Sequence, residues 1–151
     1  MKIADILASD AVLHHLKAKS KKQLLSELAN MAAEKTGLEA TVVLDALIER
    51  ERLGTTGIGM GVAVPHTRLP KLKKIFCGFA TSDPVDFDSV DNKPVDLVFV
   101  LLVPEEAGAD HLKALARLSR LLRNEQTVEA LRQAESAKDL YRLILKNDAD
   151  E

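Results

Sequence analysis

The residues best suited to chemistry lie in one short segment, Thr55-Thr56-Gly57-Ile58-Gly59-Met60-Gly61-Val62-Ala63-Val64-Pro65-His66. Four of the seven glycines fall between Gly54 and Gly61, and glycine tolerates positive φ and close backbone approach, which predicts a tight, exposed loop. A short apolar strand, Val62 to Val64, then delivers His66, and Pro65 fixes φ just before it. The imidazole is thus held by stiff backbone, and a neutral imidazole is a competent nucleophile near pH 7. A second histidine, His111, follows Asp110, which reads as a helix N-cap. Both stand at transitions between elements, where functional groups gather on α/β scaffolds. If they meet in space, the arrangement suits phosphoryl transfer, whose transition state spreads negative charge over the equatorial oxygens. His111 and the backbone donors of its helix N-terminus would face that charge, and Arg50 would add a fixed fork of N–H groups. No metal or cofactor is needed. Spacing alone leaves a second reading open, in which His66 is a structural loop histidine, His111 an ordinary first-turn residue, and Arg50 and Arg52 solvated charges.

Other templates fail on the residues present. No lysine follows the glycines as a phosphate-binding P-loop requires, and a dinucleotide fingerprint would need glycine at Val62. Zinc would need three or four ligands at suitable spacing, and His66 and His111 have only scattered acids such as Asp110 beside them. A hydrolase nucleophile elbow, G-x-S-x-G, is missing. His14 and His15 are adjacent and point in different directions on any regular element, so they make poor joint ligands. Cys77, the single cysteine, lies in the apolar run Ile75 to Ala80 and reads as an inert core thiol.

The elements that must position these groups follow from periodicity. Ser20 with Gln23 forms a capping box, and Leu24, Leu25, Leu28, Met31 and Ala32 recur at helical spacing up to Gly37. A second helix is expected from about Glu39 to Arg52, with Val43, Leu44, Leu47 and Ile48 inward. Residues 75–81 predict a strand, and Asp83 to Asp88 a turn and edge structure. Val95 to Val103 reads as a strand covered on both faces. Asp110 opens a helix carrying Leu112, Leu115, Leu118 and Leu122; shorter helices are expected over Thr127–Gln133 and Ser136–Lys146, and a frayed tail from Asn147 to Glu151. The expectation is therefore a single α/β domain with a largely buried sheet. In the chain's 151 residues, 46% are apolar and only 3% aromatic, so the core must be built from Leu, Val, Ile and Ala. The net charge of −2, mixed along the chain, argues against a nucleic-acid partner. The N-terminus lacks a signal-peptide core and the run Leu97 to Val103 is too short to span a bilayer, so no membrane insertion and a cytoplasmic location are expected.

The segment Glu49 to His66 resembles the region around the phosphorylated histidine of the fructose/mannitol-type IIA domains of the bacterial phosphotransferase system. Leu97 to Glu106, followed by Ala109-Asp110-His111-Leu112, is similar to the second motif of that family's nitrogen-regulatory branch. The resemblance covers nearly the whole chain and implies one IIA domain over 1–147, with a short tail at 148–151. It implies a mixed, mainly parallel sheet with helices on both faces. Carried over, His66 matches the phosphoryl acceptor, His111 the group that stabilises the transferred phosphoryl, Arg50 the arginine near the site, and Thr56 the Ser/Thr-Gly step. Phosphate would pass from phosphoenolpyruvate through an enzyme I homologue and an HPr-like carrier (NPr in the nitrogen branch) to His66. The regulated targets implied are potassium transport proteins and sensor kinases. The alternative is a sugar-transport IIA that passes phosphate to a fructose- or mannitol-type IIB; the absence of a fused IIB or membrane segment favours the first. Met60 departs from the pattern, standing where asparagine is usual. Met60, Val62 and Leu69 are expected to offer an apolar contact patch beside His66, and Glu105 and Glu106 a solvated acidic loop.

Overall fold

The computed structural model describes residues 1–148. After a 3-10 turn at Ile3–Asp5 come β1 (Leu7–Leu16), α1 (Lys21–Thr36), α2 (Ala40–Arg52), β2 (Gly57–Gly59), β3 (Val62–Ala63) and β4 (His66–Leu69). They are followed by β5 (Phe76–Val85), β6 (Val95–Pro104), α3 (Asp110–Arg123), α4 (Glu125–Gln133) and α5 (Ala137–Asn147). The six strands form one sheet in the order β1-β5-β6-β3-β2, with β4 also on β6. The pairs β1/β5, β3/β6 and β4/β6 are parallel, and β5/β6 and β2/β3 antiparallel. The sheet is therefore mixed and mainly parallel, as expected.

The axis of the sheet is β6. Its run from Leu97 to Val103 is at most 3% exposed, which requires cover on both faces. On one face Gly78 of β5 lies against Met31 of α1 and Val100 of β6; a Cβ at Gly78 would overlap the Met31 thioether. On the other face Leu101 and Val103 share a cleft with Leu112 and Leu115 of α3. Ser20 caps α1 by accepting from Gln23 N at 3.1 Å, and Gly37 ends it at φ 79°. The return bond of the expected box goes one residue earlier, from Lys19 N to Gln23 Oε1 at 2.8 Å. Leu24, Leu25, Leu28, Met31 and Ala32 are all buried.

Several expectations are corrected. The strand β1 has no clean alternation (three exposed residues, Ala8, Ser9 and Asp10, follow one another) and does not follow from periodicity. Asp83 to Val85 continue β5 instead of forming a turn. The N-cap of α3 is Ala109, with Asp110 the first helical residue. Asn124 caps α4 by accepting from Thr127 N at 3.1 Å, so the helix starts at Glu125, two residues before the expected Thr127. Asn147 and Asp148 do not fray: Asn147 closes α5, and the Asp148 carboxylate takes Arg117 Nε at 2.8 Å and Ile3 N at 2.7 Å. The remainder of the expected tail, 149–151, lies outside the described residues. The glycine cluster is a β-hairpin, not an exposed loop: Gly57, Gly59 and Gly61 are buried, and only Ile58 and Met60 between them are exposed.

Candidate functional site

His66 opens β4 where Pro65 interrupts the strand path begun by β3. Both β3 and β4 pair in parallel with β6, and Leu101 N donates to Pro65 O at 2.9 Å, so the proline carbonyl is stitched to β6 on the His66 side. In the register of β4, His66 lies opposite Leu101 and Arg68 opposite Val103. Residues two apart on a strand share a face, so His66 and Arg68 project the same way. Arg50, His66, Thr67, Arg68, Leu101, Val103, His111, Leu112 and Leu115 line one cleft of about 380 Å³. The structure thus brings Arg50, His66 and His111 together from α2, β4 and α3. A larger cleft of about 870 Å³, lined by Lys73, Lys74 and the acids of the β6–α3 loop, contains no histidine.

The His66 ring is half-buried, and its Nδ1 lies 2.8 Å from Val64 O. A carbonyl only accepts, so Nδ1 carries the hydrogen and Nε2 keeps its lone pair. Burial lowers the His66 pKa below 6.5; the Val64 bond opposes this, while the Arg50 charge adds to the lowering. The ring is accordingly neutral near pH 7 and Nε2 is its nucleophilic atom. The same logic fixes His111, whose Nδ1 donates to Gly108 O at 2.7 Å and leaves Nε2 for the cleft. Arg50 donates through Nη1 to Gly54 O at 2.9 Å, which anchors it at the C-terminus of α2. No other acceptor among the described residues takes its remaining N–H groups.

Thr56 stands apart from these three. It does not line the cleft, and its hydroxyl donates to Glu51 Oε2. Its N–H reaches Glu51 Oε1 at 3.0 Å, which Lys21 Nζ also approaches at 2.9 Å. The buried Glu51 carboxylate therefore ties the entry of the hairpin to the last turn of α2 and the first of α1. Sequence reasoning missed Glu51 and Arg68. The His66-x-Arg68 spacing carried a signal for the second, once 66–69 is known to be a strand. Val62 and Leu69, expected in an apolar contact patch, are each 2% exposed and belong to the core. Leu112, at 59% exposure, is the large apolar side chain that the cleft presents to solvent. His14 and His15 are engaged separately, with Ala134 O at 2.9 Å and Asp83 Oδ1 at 2.7 Å. No group of three metal-ligating side chains occurs among the described residues. Cys77 is buried, and burial pushes its thiol up, away from reactive thiolate.

A family model described as "Phosphoenolpyruvate-dependent sugar phosphotransferase system, EIIA 2" matches residues 5–147. The chain belongs to this family. Among IIA proteins it is 54% identical over 145 residues to a nitrogen regulatory protein of Bradyrhizobium diazoefficiens, covering 95% of each chain. It is 47% identical over 102 residues, 67% of its length and 66% of the relative's, to a fructose-specific EIIA component of Haloferax volcanii. The crystal structure of the nitrogen regulatory protein IIA-Ntr from Neisseria meningitidis superposes with a TM-score of 0.89 at 35% identity, covering 94% of this chain and 98% of that one. The IIA fold, with its mixed sheet between helices, is therefore that of this chain. No helix among the described residues is long and apolar enough to cross a membrane.

Proposed function

We propose that this IIA protein is a cytoplasmic phosphohistidine carrier of a nitrogen-related phosphotransferase system, with His66 as acceptor. The observation that carries the reading is the pairing of His66 Nδ1 with Val64 O, which leaves a neutral Nε2 in a cleft shared with Arg50 and His111. Nε2 attacks the phosphorus of a phosphohistidine on an HPr-like protein, NPr in this branch, itself loaded from phosphoenolpyruvate by an enzyme I homologue. The new Nε2–P bond forms as the donor's N–P bond breaks, and the bonding pair returns to the donor imidazole. The Nδ1 proton stays in place, so Val64 O steadies the positive charge that the ring acquires. Arg50 meets the charge on the phosphoryl oxygens, and His111 faces them from the start of α3. Thr56 acts through Glu51, holding the hairpin that leads to His66. Phosphorylation adds nearly two negative charges to the cleft, which switches the affinity for regulated partners such as potassium transport proteins or sensor kinases.

The test is phosphorylation with phosphoenolpyruvate, enzyme I homologue and NPr, read by intact mass. An acid-labile phosphoryl group on the wild type, absent in His66→Ala and formed about 100-fold more slowly in His111→Ala, is expected. Failure of the folded wild type to gain mass from either the nitrogen or the sugar carrier would overturn the proposal. The similarity to a fructose-specific EIIA component favours a second reading, transfer onward to a IIB. Chasing the phosphorylated protein with a fructose-type IIB separates the two, because only a sugar-transport IIA should discharge rapidly.

A further inference from the structure

We propose that Arg68 is a positioning residue for His111, holding that ring in the cleft; its consequence for transfer rests on the phosphocarrier reading above. The parallel register of β4 on β6 places Arg68 opposite Val103 and Leu69 opposite Pro104, beside the point where β6 turns into the loop before α3. From there Arg68 Nη1 donates to two carbonyls of that loop, Glu105 O at 3.0 Å and Ala107 O at 2.8 Å. Its Nη2 lies 3.3 Å from His111 Nδ1 and 3.5 Å from Nε2. Nδ1 already gives its hydrogen to Gly108 O, so Nε2 is the only ring nitrogen that can accept from Nη2, and the guanidinium spans the two nitrogens. The planar fork can bracket two carbonyls and lie along an imidazole at once, which an ammonium cannot do.

Apart from the bond of the ring to Gly108 O, little else fixes this helix end. The N-cap Ala109 supplies no side-chain bond. The loop has its own ties in Glu105 N to Leu69 O at 3.2 Å and Ala107 N to Pro104 O at 3.0 Å, and neither reaches Gly108 or His111. Arg68 therefore links the strand that carries His66 to the loop and ring that face it. Arg68 and the loop carbonyl contacts are exposed, so water replaces those bonds when the side chain is removed and the fold itself loses little. What is lost is the placement of His111, and a misplacement of about 1 Å can slow a transfer step by about 100-fold.

Two readouts test this. The first needs no phosphoryl donor: nitrogen-15 spectra of the His111 ring at pH 8 report which nitrogen carries the hydrogen. The wild type should show a single Nδ1–H form, and Arg68→Ala and Arg68→Lys an averaged ring, with the melting temperature nearly unchanged. The second is a rate cycle with phosphorylated NPr. Arg68→Ala should slow transfer by roughly 10- to 100-fold in the wild-type background and less than about twofold in His111→Ala, because the two residues act as a unit. An unchanged His111 spectrum, an equal penalty in both backgrounds, or full rescue by Arg68→Lys would each overturn the proposal. If the wild type takes no phosphoryl group, the functional reading fails while the ring spectrum still decides the role of Arg68.

Discussion

At His66, the chemistry is set by one carbonyl and by burial. Burial is the largest influence on the ring and holds its pKa below 6.5, with the Val64 bond opposing and Arg50 reinforcing. A proton-detected titration of the His66 ring should therefore give a midpoint below 6.5, and a midpoint above it would contradict the neutral nucleophile. The same shift bears on stability. Between 6.5 and the lower folded value, the unfolded chain binds a proton that folded His66 does not. His66 consequently withdraws stability as pH falls through that window and is without effect above it. Denaturant midpoints of wild type and His66→Ala should converge near pH 8 in their pH dependence and diverge towards pH 5. Thr56 makes a different prediction. Thr56→Val removes the hydroxyl from the buried Glu51 carboxylate while keeping shape, and should lower stability by about 2 kcal/mol in urea titrations. No change would mean that the Thr56 N–H and Lys21 suffice for Glu51.

At the level of elements, the hairpin before His66 explains why asparagine would suit the position that Met60 occupies. Gly59 pairs with Val62, leaving Met60 and Gly61 as a two-residue connection with φ of 60° and 80°. Positive φ at both positions marks the turn that favours Asn-Gly, because its twist suits the flanking strands. Methionine in that conformation is strained by about 1 kcal/mol, and Gly61 has no room for a side chain, since a Cβ there would overlap Arg132 and Asp96. Met60→Asn should thus raise the thermal midpoint by roughly 2–4 °C and leave phosphoryl transfer unchanged, as Met60 lies outside the His66 cleft. A lower midpoint would refute the turn argument. This hairpin also shows what was legible in the sequence. The glycines announced unusual backbone, and α1, with its cap, apolar stripe and terminal glycine, could be read residue by residue. The pairing of Gly57 with Ala63 could not, because a three-residue strand with two glycines has no alternation to read. The same limit hid β1, and it hid Arg68, whose role depends on strand register. His66 and His111 stood out by type and by the motifs around them, but their meeting depends on β6 and α3 folding over the cleft.

For the whole molecule, both ends of the described chain are pinned through one buried ion pair. Arg117 and Asp148 have side-chain exposures of 6% and 5%, and the second Asp148 oxygen accepts from Ile3 N. Asp148→Ala removes a buried charge partner and should cost about 3 kcal/mol, a fall of roughly 6–12 °C in melting temperature, checked by calorimetry. A fall below about 2 °C would show that Arg117 is adequately served by its other contacts. The position of β6, bordered by β5 along one edge and by β3 and β4 along the other, has a further consequence. In amide hydrogen exchange, the Leu101 N–H bonded to Pro65 O should exchange only through global unfolding, whereas amides at the start of α3 should exchange through local opening. The two histidines then belong to different cooperative units with different lifetimes. In the proposed carrier, His66 is anchored to the slowest-exchanging strand and the facing ring sits on a helix end expected to open locally, so a phosphoryl group would be admitted or released without loosening the strand beneath it.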